Sequence, residues 1–278
     1  YVPLLHRAYA LWRELESVSG LPLFEQTGLI MGGAADSETV TGLAASYAAH
    51  DLPYELLDAA ETMKRFPQFR VPDDYIVYFD PEGGYLFVEQ CVETHLEYAE
   101  QLGAEVHIHR SGLSWRDDGD GVTVTTEKGE LHAAKLVLTL GPWAVPVLAE
   151  VGVPLEVARK VQLWYGSPGL ENYTGAKFIP FFFDHPYGKF YGFPSVNYAG
   201  LKVAEHGGGD PVEDPNTVNR SLSEADEAGV LRFLADTLPD FKPSLRKHTV
   251  CLYTRTPDQH FVIDKHPLHD HVVMAAGF

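Results

Sequence analysis

The stretch Lys135-Leu136-Val137-Leu138-Thr139-Leu140-Gly141-Pro142-Trp143 stays apolar through 136–140 apart from Thr139, then halts on Gly-Pro. Such an unbroken run predicts a strand covered on both faces, the mark of a parallel sheet flanked by helices. A helical pattern follows to about 151. Upstream, the spacing predicts a helix over 88–102 closed by Gly103, and a strand over 104–109. A hairpin through Lys128-Gly129 joins 122–126 to 130–132. An earlier helix over 3–18 stops at Gly20. From about 158 the character changes to aromatic strands over 161–165, 178–183, 188–193 and 200–205. A helix over 222–237 and strands over 249–254 and 261–264 complete the pattern. This is a mixed α/β (α+β) chain whose βα and antiparallel segments interleave as two domains.

Composition narrows the partners. The 278 residues include 21 basic and 39 acidic side chains, a net charge of −18. A phosphate footprint needs clustered Lys and Arg, so neither nucleic acid nor an anionic membrane is an expected partner. No apolar run is long enough to span a bilayer. Only Cys91 and Cys251 are present, too few for a disulfide framework, which favours a cytoplasmic setting.

Several chemistries lack their motif. There is no Ser nucleophile elbow, phosphate loop ending in Lys-Ser/Thr, HExxH or GxGxxG. Gly32-Gly33 reads as a tight turn, and Gly207-Gly208-Gly209 runs into an acidic turn that makes a poor phosphate cradle. His266, His269, His271 and Asp264 crowd one segment, and His107 and His109 share a strand face. Metal binding needs convergent donors with oriented partners, so no metal is expected.

Three strings are more specific: Lys189-Phe190-Tyr191-Gly192-Phe193-Pro194, Gly200-Leu201-Lys202-Val203-Ala204-Glu205-His206, and Cys251-Leu252-Tyr253-Thr254-Arg255-Thr256-Pro257-Asp258-Gln259-His260-Phe261-Val262-Ile263-Asp264. With Ala275-Ala276-Gly277-Phe278 they resemble the monomeric sarcosine oxidase and N-methyltryptophan oxidase family of covalent flavoproteins. Weaker similarity covers 1–14, 79–88 and 139–143.

The resemblance implies FAD bonded through its 8α-methyl carbon to Cys251, a step that wants the thiolate. It places Lys202 near flavin N5, where an ammonium stabilises charge developing on O2. His206 and Tyr191 match residues on the substrate side, as catalytic candidates. Tyr253 falls near the pocket, and Gly141, Trp143 and Gly277 fall near the cofactor. Phe182, in the run Phe181-Phe182-Phe183, is a pocket candidate. Taken as residues alone, each keeps a plainer reading. Cys251 is a small strand hydrophobe, Lys202 a snorkelling strand end, His206 a loop residue, and Tyr191, Trp143 and the Phe run core aromatics.

The implied partition is an FAD-binding domain over 1–20, 90–157 and 254–278, interleaved with a substrate domain over 21–89 and 158–253. The implied reaction is oxidative demethylation of a small N-methylated amino acid with O2, in a monomer. A pipecolate- or glycine-type oxidase of the same fold is the alternative, as is an inert fragment or ligand-binding module. The family pattern opens with a strand, a GxGxxG loop and a helix, and closes on a Gly-His-Gly-Phe-Lys segment. Neither occurs here, and Gly112 stands where a branched apolar residue is expected. The expectation is therefore a piece of a longer protein, colourless on its own.

Overall fold

The computed structural model describes residues 1–108, 112–175 and 177–278. The chain packs as two compact units. The first comprises 1–104, 161–207 and 221–249, and the second 105–160, 208–220 and 250–278. Two of the five boundaries, at 160/161 and 249/250, fall within the long strands Glu156–Gly166 and Ser244–Arg255. The mixed α/β class is as read from the sequence. Segments 1–20 and 90–104 pack in the first unit, because Leu15, Leu23 and Cys91 share one small core with Trp12, Leu86 and Tyr98. The Cys91 thiol is buried there, with Sγ donating to the Leu23 carbonyl at 3.5 Å, and burial pushes its pKa up.

In the first unit, Val161–Gly166 lies beside Leu201–Glu205, followed by Gly188–Phe193, Phe181–His185, Leu29–Ala34, Tyr75–Asp80 and Glu55–Leu57. All neighbours are antiparallel except Phe181–His185 with Leu29–Ala34, which run parallel. Side chains alternate across a strand, so the Phe run divides. Phe181 and Phe183 enter the core with Phe190, Val203 and Leu163, while Phe182 points to the opposite face. Helix Glu224–Thr237 covers the core face. It starts at a Ser223/Asp226 capping box, and its Phe233 ring stacks on Phe190 at 4.7 Å.

In the second unit, Leu136–Leu138 runs parallel to His269–Ala276, which pairs antiparallel with Val262–His266. Val122, Leu138, Leu148, Val272, Met274 and Ala276 form their core. A separate meander joins Gly112–Asp117, Val122–Thr126 and Gly129–Ala133. Two expectations change. The 135–140 strand is shorter and packs on one face only, with Val137 63% exposed. Residues 104–108 form no strand, for want of a pairing partner among the described residues, and His109 lies outside them. No helix among the described residues is long and apolar enough to cross a membrane.

Candidate active site

In the first unit, strand register assembles one wall. Phe182 stands opposite Tyr191, and Tyr191 opposite Ala204. One row along, Phe193 stands opposite Lys202, and Lys202 opposite Trp164. Cross-strand partners share a face, so Phe182, Tyr191, Lys202 and Trp164 all project away from the Phe core. His206 ends the strand Leu201–Glu205. Its amide donates to the Lys189 carbonyl at 2.7 Å, which seats the imidazole 5.5 Å from the Phe182 ring and 6.3 Å from Tyr191. Four sequence candidates thus meet on one wall.

Gly192 sits between the two rows. A Cβ there would meet the Phe181 ring at 2.4 Å and the Lys202 carbonyl at 2.8 Å, so only glycine allows this approach. The Lys202 ammonium lies 5.2 Å from the Trp164 centroid and 5.5 Å from Phe193. Lys247 approaches the same indole at 4.9 Å. The Gln162 amide donates to the Tyr191 hydroxyl at 3.4 Å. Trp164, Gln162 and Lys247 were missed in the sequence. The available signal for the first two was their place at every second position of the strand-like run 161–165, on the face opposite Leu163, while Lys247 gave none. A separate 360 Å³ cleft in this unit, lined by Met63, Arg70, Val71, Pro72, Asp73, His185 and Asp236, contains none of the candidates.

In the second unit, Cys251, Tyr253 and Arg255 alternate along one face of the long strand and are half-buried, while Val250 and Thr254 are buried on the other. Cys251 is a free thiol. The Lys160 ammonium stands 6.0 Å from the Tyr253 ring centroid. Arg255 donates to Glu156 at 2.8 Å and to the Gly208 carbonyl at 3.3 Å.

The turn after Arg255 explains the rest of the motif. The Asp258 carboxylate accepts from the His260 amide at 3.1 Å and lies 2.8 Å from the Thr256 hydroxyl, interactions that hold it below its usual pKa. The Thr254 amide and hydroxyl both donate to the Phe278 carbonyl, at 3.3 and 3.1 Å. Gly277, at φ +84°, lies where a Cβ would press on Phe261 Cα at 3.2 Å. Gly141 is also left-handed, at φ +53°, but has open space around it. Trp143 is 49% exposed and donates to Asn216 at 3.0 Å, so it is no core tryptophan.

The crowded histidines take separate partners, although the His266 and His269 rings lie 4.7 Å apart. His269 pairs with Asp117 at 3.1 Å, and His271 meets the Gly119 carbonyl at 3.2 Å. His266 is buried, with Nδ1 accepting from the Leu268 amide at 3.2 Å. Among the described residues, no three His, Cys, Asp or Glu side chains are grouped to hold a metal.

The second unit's residues fit a flavin. They offer a partly accessible thiol, an aromatic ring beside it on the same strand face, a buried cation, and a left-handed glycine leaving its backbone open. The Arg255 Nε is a buried N–H without a partner among the described residues, a donor for a ring nitrogen or carbonyl oxygen.

Comparison with known proteins supports FAD as the cofactor. A family model described as FAD dependent oxidoreductase matches residues 1–278. The chain is 36% identical to monomeric sarcosine oxidase of Bacillus sp. (strain NS-129), over 100% of this chain and 73% of the relative. It is 35% identical to N-methyl-L-tryptophan oxidase of Citrobacter koseri, over 100% of this chain and 74% of that protein. The solved open form of NikD, an unusual amino acid oxidase, superposes with a TM-score of 0.81 at 24% identity, covering 96% of this chain and 72% of that one.

Proposed function

The chain belongs to the family of FAD dependent oxidoreductases, and on that premise we propose that it serves the oxidative demethylation of a small N-methylated amino acid. The balanced reaction takes the secondary amine, O2 and water to the primary amino acid, formaldehyde and hydrogen peroxide. The supporting observation is the shared wall of Phe182, Tyr191, Lys202 and His206. FAD, when bound, supplies the two-electron acceptor.

The chain's own residues do the rest. Cys251 holds the cofactor covalently, with Tyr253 beside it and Gly141, Trp143 and Gly277 shaping the strand ends. Phe182 and Tyr191 give an apolar wall that packs on the substrate and excludes water. His206 offers a ring nitrogen to the amine or carboxylate within that wall. Lys202 keeps its charge fixed between two rings, ready to stabilise the anion formed as O2 takes an electron. The domain partition carried by this reading is FAD binding over 1–20, 90–157 and 254–278, and substrate binding over 21–89 and 158–253.

The test is product analysis of the flavin-loaded protein with sarcosine, N-methyl-L-tryptophan, pipecolate and glycine. Peroxide and formaldehyde formed in equal amounts from an N-methyl substrate support the reading. Peroxide from glycine or pipecolate alone rejects it.

A further inference from the structure

Among the described residues, Lys160 is the only buried lysine, 6% exposed on the strand Glu156–Gly166. Withdrawing an ammonium from water is costly, and a methionine would fill the same volume without a charge to desolvate. A lysine kept in such a place points to a use for its charge. Its ammonium lies 6.0 Å from the centroid of Tyr253, within the range of a cation–π contact. Tyr253 and Cys251 are two residues apart on one strand and so present the same face. The cation therefore addresses the face that carries the thiol.

We propose that Lys160 is a charge-supplying positioning residue of the cofactor site, its buried ammonium favouring the anionic form of the flavin held at Cys251. The inference rests on Cys251 as the attachment point. A fixed positive charge in a medium of low dielectric stabilises a nearby anion far more than the same charge in water.

Sulfite reads this charge without turnover. It adds through sulfur to flavin N5, its electron pair enters the ring, the ring becomes anionic, and the long-wavelength absorbance is lost. Flavin-loaded wild type, Lys160→Met, Lys160→Gln and Lys160→Arg are titrated with sulfite, with thermal unfolding as the control for folding. The Met and Gln variants are expected to bind sulfite at least about tenfold more weakly, and Arg to restore most of the affinity. Wild-type affinity in either neutral variant overturns the proposal. So does an Arg variant as weak as the neutral ones, which would make Lys160 a packing residue. Failure of the Cys251 premise shows separately, as wild-type flavin released into the supernatant by acid.

Discussion

The ammonium of Lys202 lies 5.2 Å from the indole centroid of Trp164, its direct cross-strand partner. The pairing converts a long flexible side chain at a strand end into a charge of fixed position. Replacing Lys202 by Met is expected to slow reoxidation of the reduced protein by O2 by about 100-fold or more, with little effect on anaerobic reduction by substrate. Stopped-flow mixing with O2 separates the two half-reactions. Trp164→Leu keeps the charge but loses the ring contact, and is expected to cost between about 2- and 30-fold.

Cys251→Ala is expected to leave secondary structure unchanged by circular dichroism, because the side chain is small and only half-buried. Acid precipitation of the loaded variant should leave a white pellet and a yellow supernatant, and the wild type the reverse. A yellow pellet from the variant would place the attachment elsewhere.

Gly192→Ala forces a methyl group against the Phe181 ring and the Lys202 backbone. The strand must shift, carrying Tyr191 and Phe193 with it. Urea unfolding is expected to show a loss of about 1–3 kcal/mol, accompanied by a raised KM. Unchanged stability would mean the sheet yields at no cost.

His266 sets a pH dependence. Burial, reinforced by neighbouring His269 and opposed by Glu150, holds its pKa below the ordinary 6.5. As pH falls below that value the unfolded chain takes up a proton that the folded chain refuses. The stabilisation is therefore complete above about pH 6.5 and is lost as pH falls through the folded pKa. Thermal unfolding should show the midpoint falling from pH 7 toward pH 5, and His266→Gln should flatten that slope.

Much of this was legible in the sequence, for reasons that differ by residue. The strand at 188–193 and the helix over 222–237 follow from local periodicity, which acts within a few residues. The shared wall does not. Nothing local says that Lys202 faces Trp164, because cross-strand register depends on residues nearly forty positions apart. The Phe run was readable as a strand, yet its division between core and wall needed the sheet. Segment 104–108 shows the opposite failure: its alternation is real, but a strand exists only where an edge pairs with it. Lys160 has no local signal, because a lone lysine in a strand carries no motif and only burial makes it unusual.

The two thiols differ in a way that turns the protein into its own gauge. Cys91 is sealed under the Leu23 carbonyl with its pKa raised, so a maleimide added to the folded chain finds Cys251 alone. On the proposed linkage, a Cys251 sulfur joined to flavin is a thioether and does not react. Labels counted per folded chain, from one to zero, would therefore report the fraction of molecules still without cofactor, and repeating the count after unfolding would recover Cys91 as an internal standard.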